Sequence, residues 1–94
     1  MEDDMSERSE GRLRVLYFAA LRERLGLAEE EVDWPPAGGT VACLRAHLAA
    51  RHDDLASLFT ADALKIAVNQ RYADAKTLIR PGDEVALFPP VTGG

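Results

Sequence analysis

Cysteine is almost missing from this sequence: Cys43 is the one thiol in 94 residues. A lone thiol excludes an internal disulfide framework, and it excludes clusters or zinc sites that draw several thiolates from one chain. Long apolar runs are missing as well, and none approaches the roughly 18–20 residues that span a bilayer. Basic charge is scarce: 11 Lys and Arg face 16 Asp and Glu, for a formal charge of −5. Nucleic acid and anionic membrane surfaces are therefore poor partners. Residues 1–12 are acidic and polar, unlike a secretory leader, so a cytoplasmic protein is the expectation. Internal repeats and low-complexity segments are also absent.

What is present has an ordinary globular balance, 47% hydrophobic and 29% charged. The length suits one small domain with a single core. Charge is unevenly placed. Residues 1–12 hold Glu2, Asp3, Asp4, Glu7 and Glu10 against Arg8 and Arg12, with only Met1 and Met5 as apolar anchors. This stretch is expected to be a solvated, disordered extension, and residues 13–94 the folded domain.

Leu13 to Phe18 is apolar and β-prone, a first strand. Ala19 to Leu25 favours helix, with Gly26 placed as a left-handed C-cap. Glu29 to Trp34 predicts a shorter strand ended by Pro35-Pro36, and Gly38-Gly39 a loop. Thr40 is a good N-cap for Val41–His52, where Val41, Leu44 and Leu48 recur at helical spacing. Asp53 to Leu64 suggests loop and short helical turns. Leu64–Asn69 and Ala73–Ile79 predict strands around a turn near Gln70-Arg71. Pro81-Gly82 fits a type II turn, and Asp83 to Phe88 a final strand. Pro89-Pro90 cannot donate to a ladder, so the sheet should stop there and residues 89–94 form a free tail.

The tail carries the chemistry. Two terminal glycines occur by chance in roughly one chain in 200, so Gly93-Gly94 alone decides nothing. Their context adds weight, because they follow an apolar strand and a stiff Pro89-Pro90 step. Without Cβ atoms, two glycines can thread a narrow channel and present a carboxylate to another enzyme. A carboxylate is a poor electrophile and must first be activated. Adenylation by ATP supplies a leaving group, and a sulfur nucleophile then gives a thiocarboxylate, a carrier-bound sulfur nucleophile.

Three stretches resemble a known family: Val15-Leu16-Tyr17-Phe18-Ala19-Ala20-Leu21-Arg22-Glu23, Ala67-Val68-Asn69-Gln70, and the ending from Pro81 through Phe88-Pro89-Pro90-Val91-Thr92-Gly93-Gly94. The family is the small subunit of molybdopterin synthase, a ubiquitin-like sulfur carrier, and the resemblance covers residues 13–94. It implies an α+β, β-grasp fold, a mixed sheet of about five strands with one main helix on one face. It implies that an activating enzyme adenylates Gly94 and that a sulfurtransferase makes the thiocarboxylate. The tail, Pro89, Pro90, Val91, Thr92 and Gly93 included, then enters the large subunit of a heterotetramer. There sulfur passes to cyclic pyranopterin monophosphate to build the molybdopterin dithiolene. The chain would act only as a subunit, with no resident cofactor and no metal; ATP belongs to the activating enzyme. A sulfur carrier for another pathway such as thiamine, a ubiquitin-like protein modifier, and a plain interaction domain are the competing readings.

Alternation adds a docking face. Leu13, Val15 and Tyr17 share one side of the first strand, Arg14, Leu16 and Phe18 the other; Val85 and Leu87 oppose Glu84, Ala86 and Phe88 in the last. If these strands are neighbours, as a β-grasp implies, Leu16, Phe18, Ala86 and Phe88 form an apolar patch away from the helix, the mark of a partner surface. Cys43, among Val41, Leu44 and Leu48, is expected as a small buried hydrophobe rather than a nucleophile. Cys43 and His47 have the spacing of a metal pair, but no further ligand is evident. His52 is expected at the helix end, exposed or as a cation. Arg22 and Arg24 are surface charges or partner contacts. Lys65 and Lys76 are surface residues open in principle to isopeptide formation. Trp34 should cover the core's edge with its N–H in water.

Overall fold

The computed structural model describes residues 11–89. Strand β1, Arg12–Tyr17, buries Leu13, Val15 and Tyr17 on one side, as a period of two requires. It starts at Arg12, which the sequence had placed in the acidic extension; the rest of that expectation falls on residues 1–10, outside the described part. Helix α1, Ala19–Leu25, follows directly and ends at Gly26 with φ 74°, the left-handed cap. Strand β2, Glu29–Asp33, returns antiparallel to β1 with Val32 buried.

Gly39 is not loop. Gly39–Thr40 forms a two-residue strand, β3, paired with β6, Leu78–Ile79. Glycine is required there, because a Cβ on Gly39 would sit 2.9 Å from the Trp34 ring. Trp34 is itself buried, and its Nε1–H donates to the Ile79 carbonyl at 2.9 Å rather than to water. The Thr40 hydroxyl accepts from the Cys43 N–H at 3.2 Å and opens helix α2, Val41–Arg51. Val41, Leu44 and Leu48 face inward as their spacing predicts. A 3₁₀ turn, Asp53–Leu55, and a short helix α3, Ala56–Thr60, follow. Arg45 ties α3 down by donating to the Phe59 and Ala61 carbonyls.

The expected strand from Ala73 to Ile79 is broken in two. Strand β4, Lys65–Val68, turns through Asn69-Gln70 into β5, Arg71–Ala73, and a turn at Asp74–Thr77 separates β5 from β6. Asn69 and Gln70 both have positive φ, 51° and 72°, as two-residue hairpins of the primed type need. Arg80-Pro81-Gly82-Asp83 closes the turn predicted for it, with Gly82 at φ 94°. Strand β7, Glu84–Phe88, completes the sheet.

The five-stranded sheet runs β2-β1-β7-β4-β5. The central pair β1/β7 is parallel and the others are antiparallel. One core cluster joins the inward residues of β1, β7 and β4 to Val41, Leu44 and Leu48 of α2. This is the α+β β-grasp arrangement, and its opposite sheet face is left uncovered by helix. No helix among the described residues is long and apolar enough to cross a membrane.

Candidate functional site

Parallel pairing of β1 and β7 brings Leu16 beside Ala86 and aligns the C-terminal ends of both strands. One step further, the Phe18 N–H donates to the Leu87 carbonyl at 3.3 Å, and the Phe18 and Phe88 rings stack at 4.9 Å, 7° from parallel. Leu16, Phe18, Ala86 and Phe88 therefore meet on the outward face, as alternation indicated. Pro89 follows immediately, half-buried. The expectations for Pro90, Val91, Thr92, Gly93 and Gly94 lie outside the described residues.

Register extends this patch beyond what the sequence suggested. Ala86 pairs with Ala67, and Ala67 with Tyr72, so one row crosses four strands as Leu16, Ala86, Ala67, Tyr72. Tyr72 is 80% exposed and lies edge-on to Phe88 at 6.5 Å. Together with Gln70 and Glu84 these residues line a concavity of about 360 Å³. A concave apolar surface with exposed aromatics is what a protein partner covers, and here nothing within the described chain covers it. Tyr72, Ala67, Gln70 and Glu84 were missed as site residues. Tyr72 could have been found by reading Arg71-Tyr72-Ala73 as a strand in register with Ala67.

Charge occupies the rest of the outward face. Arg14 donates to Glu29 at 2.9 Å, Arg12 reaches Glu31 at 3.2 Å, and Arg14 lies 3.6 Å from Glu84. The hydrogen bond and charge of Glu29 hold the Arg14 guanidinium above its ordinary pKa. These pairs are exposed and contribute little stability, but they bound the apolar patch on one side.

Behind the sheet sits a second polar cluster. Glu30, with only 11% of its side chain exposed, accepts from the Tyr17 hydroxyl and from Arg51 Nε at 2.9 Å, and His52 Nε2 lies 2.7 Å away. Burial alone would raise the Glu30 pKa; the bonds from Tyr17, His52 and Arg51 outweigh it and hold the carboxyl below its ordinary value. Burial first, and then the Glu30 bond, push the Tyr17 phenol far upward. His52 is thus neither exposed nor free: it caps α2, stacks on Phe59 at 5.7 Å and pairs with Glu30. Every member has a partner, and the cluster reads as a clamp between β1, β2 and α2.

Cys43 departs from expectation. It is exposed, two residues after the buried Val41 and so near the opposite side of the helix. Thr40 hydrogen bonds lower its thiol pKa. His47 is also exposed, and no group of three metal-binding side chains occurs among the described residues. Arg22, Arg24 and Lys76 are exposed, as is Lys65, which pairs with Phe88 at the end of β7.

A family model described as the ThiS family matches residues 15–94. The molybdopterin synthase sulfur carrier subunit of Escherichia coli is 44% identical over 84 residues, covering 87% of this chain and 99% of that protein. The crystal structure of small archaeal modifier protein 1 from Haloferax volcanii superposes with a TM-score of 0.72 at 27% identity, covering 86% and 99% of the two chains. A complex of subunits 1 and 2 of the molybdopterin-converting factor from Helicobacter pylori contains a chain of the same fold. Its TM-score is 0.58 at 24% identity, covering 88% and 99%.

Proposed function

The chain belongs to the ThiS family, and from that premise we propose that it is the sulfur-carrier subunit of a molybdopterin synthase. The observation that carries the reading is the apolar face built where β7 ends. The Phe18–Phe88 stack lies at the root of the segment that leads to Gly93-Gly94, so a partner that covers this face also receives the tail. The family match runs through Gly94, which fits a functional rather than incidental ending.

The steps follow from carboxylate chemistry. The Gly94 carboxylate attacks the α-phosphorus of ATP on an activating enzyme, releasing pyrophosphate and leaving an acyl-adenylate. A sulfur nucleophile supplied by a sulfurtransferase displaces AMP and leaves a thiocarboxylate. The thiocarboxylate sulfur then attacks a carbon of the pyranopterin substrate in the large subunit and displaces an oxygen substituent; water cleaves the acyl–sulfur bond, leaving sulfur on the substrate and restoring the Gly94 carboxylate. The part this chain plays is to dock, through Leu16, Phe18 and Phe88 with Tyr72, and to deliver through Pro89 to Gly94. Net negative charge in this chain leaves the substrate phosphate to the large subunit. ATP is consumed by the activating enzyme, and the chain itself holds no resident cofactor.

The test is intact mass after incubation with ATP, a sulfide source and the activating enzyme. Replacement of one oxygen by sulfur at Gly94 is expected, and deletion of Gly94 should abolish sulfur transfer while the fold persists. Normal transfer by the shortened chain would sink the proposal. The likeness to the archaeal modifier favours a second use of the same tail, in isopeptide bonds to lysines. Conjugates that survive thiol reductants in cell extracts would support that use.

A further inference from the structure

The row Leu16, Ala86, Ala67, Tyr72 gives the outward face a low middle between raised ends. Two methyl groups make its floor, while the Phe18–Phe88 stack and Tyr72 stand around it. Glu84 is the single ionised residue of this lining. Strand geometry sets Glu84 and Phe88 about 13 Å apart on the same side of β7.

Glu84 is underused. Its side chain is one-third exposed, and no described residue donates a hydrogen bond to its carboxylate. The nearest cation, Arg14 Nη1, lies at 3.6 Å, beyond hydrogen-bond range, while the same guanidinium is engaged by Glu29 at 2.9 Å. A carboxylate with free lone pairs at one end of an apolar trough, and aromatic rings at the other, matches a cation carried on an apolar stem. We infer that the trough receives an arginine side chain from the partner protein, its stem on Ala67 and Ala86 and its guanidinium against Glu84. Arginine fits better than lysine because a planar guanidinium pairs a carboxylate with two parallel bonds, where an ammonium offers only a point charge. The chain's formal charge of −5 favours a cationic partner surface in the same sense. Naming the large subunit as the source of that arginine rests on the carrier reading; the chemistry of the trough does not.

Two experiments test it, the first using this chain alone. The full-length ¹⁵N-labelled chain is titrated with propylguanidinium, an arginine side chain without its backbone, and separately with propylurea, its uncharged counterpart. Amide shifts should centre on Leu16, Ala67, Tyr72 and Ala86 and saturate at about millimolar probe, with at least about fivefold weaker binding for propylurea and for Glu84→Gln. Ala67→Leu, which fills the floor, should remove binding; should that variant fail to fold, Glu84→Gln still decides the matter. Equal binding of both probes, or unchanged binding by Glu84→Gln, overturns the inference. So do concentration-dependent shifts of the same amides without probe, which would assign the trough to a second copy of this chain. In the second experiment, Glu84→Gln should raise the Kd for the large subunit about tenfold and flatten its salt dependence. An unchanged Kd and salt slope overturn it as well. Failure of the wild-type chain to transfer sulfur would instead strike the carrier reading and leave the titration of the isolated chain standing.

Discussion

Glu30 shows how one carboxylate can fasten three elements. Tyr17 brings it β1, and Arg51 with His52 brings it the end of α2, while Glu30 itself rides on β2. Replacing it by Gln keeps shape and removes charge, so the donors lose a charged acceptor; a cost of about 1–3 kcal/mol is expected in urea melts. The pH dependence has a definite sign. Because the folded pKa lies below the ordinary 4.5, the ionised clamp contributes its full stability above that value and loses it as pH falls through the folded pKa. Wild type should therefore lose Tm below about pH 4.5 faster than Glu30→Gln, and parallel curves would remove Glu30 from the acid response. Cys43 makes the opposite case. Its thiol is exposed and its only described bonds are to Thr40, so Cys43→Ser should stay within about 0.5 kcal/mol of wild type and keep full sulfur transfer. Loss of transfer in that folded variant would move the chemistry from the tail to the thiol.

Elements decide which side chains are free to meet a partner. In β7, Val85 and Leu87 are wholly buried, while Ala86 and Phe88 look outward beside β1. Phe88→Ala is expected to weaken association with the large subunit by about 1–3 kcal/mol, in the range of an aromatic anchor. Val85→Ala, which removes two methyls from the core, should be the worse of the two in a thermal melt. The reverse order of melting temperatures would mean that the patch serves folding before docking. Alternation made these faces legible from the sequence, since period two needs only the strand's own residues. Helix spacing likewise located Val41, Leu44 and Leu48, and it should have placed Cys43 opposite them, because a residue two positions on is turned by about 200°. Tyr72 was hidden for another reason. Its strand has three residues, and the turn before it, at Asn69 and Gln70 with positive φ, has no Gly or Pro to fix its position, so a turn expected near Gln70-Arg71 left the next strand to begin only at Ala73. Trp34 and His52 depend on partners distant in sequence, Ile79 and Glu30, and no local pattern announces such pairs.

At the scale of the whole molecule, the last strand of the sequence lies in the middle of the sheet. Strand β7 pairs in parallel with β1 on one side and antiparallel with β4 on the other, so it alone joins the β1–β2 hairpin to the β4–β5 hairpin. Val85 and Leu87 are completely buried between those halves. Truncating one such side chain costs about 1–5 kcal/mol, and a domain's total stability is only about 5–15 kcal/mol. Losing the strand removes both side chains and two ladders of hydrogen bonds at once. The sheet therefore cannot close until the C-terminal residues have been supplied, and a chain with a damaged ending does not offer a folded docking face. Two truncations express this. A chain ending at Pro89 keeps every described element and should melt cooperatively, close to wild type. A chain ending at Pro81 lacks β7 and should show no cooperative transition by circular dichroism and poor amide dispersion by NMR. A cooperative melt from the shorter chain would show that the helix and the two hairpins close a core without β7, and its central place in the sheet would then serve the tail rather than the fold.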